Sequence, residues 1–133
     1  MSKIEKFLTK QEELDIIAAI KQAESQTSGE IRVHIEDSSK IDAFDRALEL
    51  FHELKMDNTR LQNAVLIYIA VKDRTFVIYG DKGINDIVKE DFWDSTRDVM
   101  QKHFKAGEFK QGIVEGVLKA GEQLQKHFPY LDG

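Results

Sequence analysis

The most apolar segment of the chain reads AVLIYIAV over residues 64–71 and contains no charged side chain. A strand with one face in solvent alternates apolar and polar residues, and this segment does not alternate. The segment is also much shorter than the roughly 20 residues that a membrane-spanning helix needs. We therefore interpret it as a central strand of a sheet that is covered on both faces.

Further strands are predicted on both sides of this segment. Residues 30–36 alternate between apolar side chains and charged or polar ones, which is typical of a half-exposed strand. Lys72–Arg74 is a short hairpin connection, after which Thr75–Tyr79 returns as a third strand. Apolar residues between Phe44 and Leu54 have helical spacing. A right-handed crossover through this helix makes the first two strands parallel, and the hairpin makes the third antiparallel.

A helix is predicted before the first strand, over Lys10–Ser25. Thr9 and Glu12 form a capping box at its start, in which each side chain accepts a hydrogen bond from a free backbone N–H. One face of this helix is predicted to carry Leu14, Ile17, Ala18 and Lys21, and Ile16 and Ile20 widen its apolar stripe.

Two more helices are predicted after the third strand, over Asn85–Phe104 and Phe109–Phe128, the last one ended by Pro129. Glycines inside the last helix indicate close approach to the sheet or to a neighbouring helix. The predicted fold class is α/β, a three-layer α/β/α sandwich. Its small mixed sheet combines a parallel β-α-β unit with an antiparallel hairpin, flanked by helices on both faces.

Composition narrows the classes of function. The chain of 133 residues has globular composition, with 41% hydrophobic residues, and is expected to form a single domain over residues 1–133. A net charge of −5 argues against a nucleic-acid partner, which needs a basic surface. The absence of cysteine excludes disulfides, zinc–thiolate sites and thiol nucleophiles. With neither a signal-type segment nor a membrane span, we expect a cytoplasmic protein without membrane insertion.

The topology sorts the connecting loops between two ends of the sheet. The hairpin end carries the Lys72–Arg74 turn and the C-termini of the first two strands. The loop end carries the Gly80–Asn85 segment, where glycines allow close backbone approach and a new helix begins.

Candidate metal ligands collect at the loop end, because carboxylate and amide oxygens are the donors that hard cations prefer. Asp86, Glu90 and Asp94 have i, i+4, i+8 spacing, which would place them on one face of the predicted helix. In the alternative interpretation, acidic residues near a helix start stabilise the helix dipole or form a solvated face without any metal. The full candidate set is Glu30, Asp81, Asn85, Asp86, Glu90, Asp91 and Asp94; a secondary set at the hairpin end is Asp37, Asp73 and Arg74.

Signatures of common enzymes are missing. The chain has no G-x-S-x-G, G-x-x-x-x-G-K-[ST] or H-E-x-x-H motif. The loop after Asp81 does not follow the EF-hand pattern either. His34 and His52 lack metal-ligand spacing, and we expect His34 to pair with Glu36, Arg32 or a cross-strand carboxylate.

Several motifs together resemble the TPM domain family. They are Ser28-Gly29-Glu30-Ile31-Arg32-Val33, Asn63-Ala64-Val65-Leu66-Ile67-Tyr68-Ile69, Asp73-Arg74, Gly80-x-x-Gly83-Ile84 and Phe104-x-x-Gly107-x-Phe109-x-x-Gly112. The resemblance implies an α/β sandwich. It also implies calcium binding, acid phosphatase activity in some members, and roles in the assembly or repair of membrane complexes in others. Here Gly83-Ile84-Asn85 replaces the Gly-Leu-Glu of many members, which removes one carboxylate, while Glu90 or Asp91 stands near a later aspartate of the family.

Three functions follow as hypotheses. The first is a domain that binds a divalent cation, Ca²⁺ or in its place Mg²⁺, at the loop end and has an accessory or regulatory role. The second is a metal-assisted acid phosphatase, in which a bound water attacks a phosphomonoester. The third is a protein–protein interaction module that uses no metal, so a protein partner is also considered.

Overall fold

The computed structural model describes residues 7–130. In chain order, its helices and strands are α1 (Lys10–Glu24), β1 (Ile31–Glu36), α2 (Ala43–Glu53), β2 (Val65–Ala70), β3 (Thr75–Gly80), α3 (Lys82–Asn85), α4 (Asp94–Lys105) and α5 (Phe109–Gln125). Within this range no helix combines the length and the apolar composition needed to cross a membrane.

The sheet has the predicted topology. Its strand order is β1-β2-β3, with β1 parallel and β3 antiparallel to the central strand β2. Every residue of β2 is buried, as its unbroken apolar sequence indicates. The register aligns Ile31, Val65 and Gly80 in one row across the sheet at the loop end.

Helices cover both faces of the sheet, which confirms the three-layer α/β/α architecture. On one face α1, α4 and α5 enclose a core that includes the β2 residues Val65, Ile67 and Ile69. On the other face α2 alone covers Leu66, Tyr68 and other residues of the same strand. Because successive side chains of a strand point to opposite faces, β2 contributes to both cores in alternation.

The first helix has the predicted capping box but buries a different face. Thr9 and Glu12 each accept the other's backbone N–H, at 3.1 and 2.9 Å. The buried residues are Ile16, Ala19 and Ala23, whereas Leu14 and Ile17 are exposed. Packing against α5 decides the orientation. A Cβ atom added to Gly121 of α5 would lie only 2.7 Å from the Cβ of Ala23, so small residues on both helices set their distance.

The single helix predicted over Asn85–Phe104 is wrong. The short α3 ends at Asn85, and α4 begins only at Asp94. Between them the backbone turns through hydrogen bonds from Phe92 N to the Lys89 oxygen and from Asp94 N to the Asp91 oxygen, each 3.0 Å long. The physical reason is burial. Ile84 and Trp93 both enter the main core, while Ile87 between them is 53% exposed. One continuous helix would not give this pattern of burial, so the helix is interrupted.

Candidate functional site

At the loop end, Asp81 and Glu30 lie opposite each other, each one residue outside its outer strand: Glu30 precedes β1 and Asp81 follows β3. They are the neighbours of Ile31 and Gly80, which the register aligns with Val65 in the last row of the sheet. Two strand spacings of about 4.8 Å separate their backbones by roughly 10 Å. The two carboxylates differ in environment: Asp81 is only 7% exposed, whereas the Glu30 side chain is 42% exposed and lies 3.9 Å from the guanidinium of Arg32.

Asp81 is the only buried acidic residue in the described part of the chain. It is the N-cap of α3, and its Oδ1 accepts a hydrogen bond from Lys82 N at 2.7 Å. Its Oδ2 is buried and has no hydrogen-bond partner among residues 7–130. Burial, and after it the nearby charge of Asp81, raise the pKa of the Tyr79 hydroxyl. Asp81 therefore presents one uncompensated oxygen inside the protein.

Backbone oxygens lie close to the first turn of α3. A Cβ atom added to Gly83 would stand 2.2 Å from the Leu61 oxygen and 2.5 Å from the Gln62 oxygen. Gln62 itself has a φ of 51°, in the left-handed region that few side chains other than glycine adopt readily. The chain thus brings carbonyl oxygens next to the loop that holds Asp81.

Asn85 has a structural role at this end. Its Nδ2 donates a hydrogen bond to the Gly80 oxygen at 2.9 Å, which ties the end of α3 to the end of β3. The side-chain oxygen of Asn85 can ligate a cation or accept a hydrogen bond.

The other predicted ligands do not share a helix face, because the helix on which that prediction depended is interrupted. Asp86 is the C-cap of α3, Glu90 and Asp91 lie in the turn region, and Asp94 opens α4. All four are exposed, and Asp94 lies 3.3 Å from Arg97. Among residues 7–130, no three His, Asp or Glu side chains converge as a group that could hold a metal ion.

At the hairpin end, Asp73 joins the hairpin to the loop after β1. Its carboxylate accepts hydrogen bonds from the Ser38 hydroxyl at 2.6 Å and from Ser39 N at 2.7 Å. Together these bonds lower the pKa of the Asp73 carboxyl. The backbone oxygen of Asp37 accepts a hydrogen bond from Lys72 N, and its side-chain Oδ1 is buried with no partner in the part of the chain that the structure describes. Arg74 is exposed and has a φ of 53°.

A polar network at the same end was only partly predicted. Glu36 contacts His34 at 3.2 Å, as the alternation of β1 suggested, and also accepts from the Tyr68 hydroxyl. Arg46 of α2 donates two hydrogen bonds to this carboxylate, at 3.0 and 3.1 Å. Burial would raise the pKa of Glu36, but hydrogen bonds from Arg46, Tyr68 and His34 lower it to about 2.

The remaining groups of the network respond accordingly. Burial and then the bond to Glu36 raise the pKa of Tyr68 to about 12. The same carboxylate raises the pKa of the Arg46 guanidinium. No local motif marks Arg46, since its partner is on another element. Its place on the sheet-facing side of an amphipathic helix was the only available signal.

Comparisons with known proteins agree with this architecture. The model of the TPM domain family matches residues 2–123. The NMR structure of the BA42 protein from the psychrophilic bacterium Bizionia argentinensis is 65% identical, with a TM-score of 0.91, and the alignment covers 98% of this chain and 90% of that one. No curated protein matches the chain.

More distant solved structures share the fold alone. The N-terminal domain of the cg2496 protein from Corynebacterium glutamicum is 13% identical, with a TM-score of 0.71 and coverage of 88% of this chain and 74% of that one. The N-terminal domain of a protein from P. gingivalis is 20% identical, with a TM-score of 0.74 and coverage of 91% and 78%.

Proposed function

This chain belongs to the TPM domain family, and from that membership we propose that it binds a divalent cation, Ca²⁺ in preference to Mg²⁺, at the loop end around Asp81. We further propose that the bound cation serves an accessory or regulatory role rather than turnover of a substrate. The observation that carries the proposal is the Oδ2 of Asp81, which finds no partner within the described part of the chain although the residue is only 7% exposed.

The free-energy cost of burying that oxygen without a partner argues that Asp81 binds a cation. Removing a carboxylate from water without a counter-charge or a full set of hydrogen bonds costs several kcal/mol. Asp81 receives one hydrogen bond, from Lys82 N, on the other oxygen. A cation supplies the compensating charge, and Ca²⁺ accepts irregular sets of carboxylate, amide and carbonyl oxygens more readily than Mg²⁺ does.

The chain offers additional oxygen donors of the right chemistry at the same end of the sheet as Asp81. They are the side-chain oxygen of Asn85, the carboxylate of Glu30 and the backbone oxygens of Leu61 and Gln62. Because Asp81 is the only buried carboxylate among residues 7–130, we expect modest affinity, since fewer charged ligands bind Ca²⁺ more weakly. When bound, the cation would supply positive charge that fixes Asp81 at the junction of β3 and α3.

The phosphatase alternative has less support from the arrangement. A phosphatase needs a cation to hold the phosphate, but Arg74 of the secondary candidate set lies at the hairpin end, whereas Asp81 lies at the loop end. Asp81 is also too deeply buried to present a bound water to a bulky phosphomonoester.

Titration of ¹⁵N-labelled, metal-free protein with Ca²⁺ and with Mg²⁺, followed by ¹H–¹⁵N NMR, tests the proposal. We expect saturable shifts over residues 61–63 and 80–85, larger for Ca²⁺. Asp81→Asn should abolish them and leave the fold intact, because asparagine caps helices as well as aspartate does. Asp98→Asn on the exposed face of α4 is the matched control and should titrate like the wild type.

Flat spectra at millimolar cation, or equal titration of Asp81→Asn and wild type, would overturn the cation site. That outcome would favour the interaction module that uses no metal. Hydrolysis of p-nitrophenyl phosphate that is lost in Asp81→Asn and retained in Asp98→Asn would instead establish the phosphatase.

A further inference from the structure

A cavity of about 650 Å³ opens at the hairpin end, on the opposite side of the sheet from α2. It lies between the β2–β3 hairpin and the junction of α4 with α5. Its volume is in the range of pockets that hold small organic molecules. No part of the proposed cation site contributes to it, since that site is at the other end of the strands.

Three phenylalanines form an aromatic wall in this cavity. The ring of Phe104 meets Phe76 edge to face, with centroids 5.4 Å apart, and lies 5.5 Å from Phe109. Gly112 makes this position of Phe104 possible, because a Cβ atom there would come within 2.5 Å of the ring. All three rings are only partly buried, so they present apolar surface to a ligand.

Two cations, Arg74 and Lys105, line the cavity, and no carboxylate of residues 7–130 does so. In the described part of the chain, neither cation forms an ion pair. The adjacent Asp73 does not neutralise Arg74 through a salt bridge, because its carboxylate binds Ser38 and Ser39 instead. This positive charge is unexpected in a chain whose net charge is −5.

The backbone at Arg74 adds a second indication. Its φ of 53° is in the left-handed region, where glycine or asparagine is the usual residue of a hairpin. An arginine there is strained relative to glycine or asparagine. Residues with strained backbone conformations cluster at ligand sites, where a specific side chain is needed at that position.

We propose that this cavity binds a small amphipathic carboxylate, with its apolar body against Phe76, Phe104 and Phe109 and its carboxylate on Arg74 and Lys105. The guanidinium fork of Arg74 matches the two oxygens of a carboxylate, and Lys105 adds a point charge. The apolar body supplies affinity through burial, and the cations supply the choice of headgroup. This proposal is independent of cation binding at Asp81.

A set of ligands with matched chains tests both parts of the proposal. We expect octanoate to give saturable ¹H–¹⁵N shifts at Phe76, Phe104 and Phe109. Octan-1-ol should bind at least about tenfold more weakly, since it lacks the charge-assisted hydrogen bonds. Octylammonium should be repelled, and acetate should not saturate because it lacks the apolar body. Binding of octanol as strong as that of octanoate, or no saturable shift with octanoate, would overturn the proposal.

Matched variants of the hairpin locate the headgroup. Arg74→Asn removes the charge and suits the left-handed backbone, so the hairpin should keep its fold. We expect it to weaken octanoate binding about tenfold. Lys72→Gln, an exposed cation of the same hairpin that does not line the cavity, should leave binding unchanged. Equal loss in both variants would indicate general attraction to positive charge and refute the site. Asp81→Asn should bind octanoate normally, which separates this test from that of the cation site.

Discussion

Replacing Glu36 by glutamine should remove a substantial, pH-dependent part of the stability. Burial opposes ionisation of Glu36, but hydrogen bonds from Arg46, Tyr68 and His34 lower its pKa from an ordinary 4.5 to about 2. Each unit by which the folded pKa lies below the unfolded pKa is worth about 1.4 kcal/mol, so ionised Glu36 stabilises the folded state by about 3 kcal/mol. Because the folded pKa is the lower one, this contribution is complete above pH 4.5 and is lost as the pH falls towards 2. At pH 3.5, about 1.4 kcal/mol of it should be gone.

Urea unfolding of wild type and Glu36→Gln at pH 7 and pH 3.5 measures this contribution. The free energies of unfolding should differ by about 3 kcal/mol at pH 7, and the difference should narrow by about 1.4 kcal/mol at pH 3.5. Glu49→Gln is the control: Glu49 binds the same arginine at 2.5 Å, but its side chain is 48% exposed. Its loss should cost less than about 1 kcal/mol. Equal costs for the two variants, or a difference that does not change with pH, would refute the reasoning.

Two further changes probe the loop end. Gly83→Ala should lower the free energy of unfolding by about 3 kcal/mol, because its Cβ atom would meet two backbone oxygens at 2.2 and 2.5 Å. Gly107→Ala is the control: among the described residues, its Cβ atom would meet nothing within 4 Å, but Gly107 has a φ of 78°. This variant should cost only about 1 kcal/mol. If urea unfolding shows Gly107→Ala to be the more destabilised variant, the packing argument for Gly83 is wrong. Calcium at one hundred times its Kd should add about 2.7 kcal/mol and raise the melting temperature by roughly 8 °C. Calorimetry should show no such rise for Asp81→Asn, and an equal rise in that variant would place the cation elsewhere.

Features read from adjacent residues were predicted well. The unbroken apolar run of β2, the alternation of β1 and the short hairpin after Val71 each determine which faces are covered, and the sheet followed directly. The capping box of α1 is equally local. Glycines inside α5 correctly indicated close packing, as Gly116 shows by lying 2.5 Å, measured from an added Cβ atom, from Met100 of α4.

The candidate site was predicted by residue type but not by arrangement. Asp81 and Asn85 do lie together at the loop end, because the end of β3 and the start of α3 are adjacent in the chain. The acidic face built from Asp86, Glu90 and Asp94 does not form. Its spacing assumed a continuous helix, and helical periodicity cannot show that Trp93 is drawn into the core.

The sequence by itself therefore determined the α/β class, the strand order and the family, since these depend on local patterning and on motifs of fixed spacing. Only the tertiary structure decided which face of α1 is buried, where the helix after β3 breaks, and that Arg46 of α2 reaches Glu36 of β1. It also decided that Asp81 is buried and that Arg74 and Lys105 share a cavity with three phenylalanines. Each of these outcomes depends on contacts between residues distant in the chain, where packing and burial outweigh the preferences of single segments.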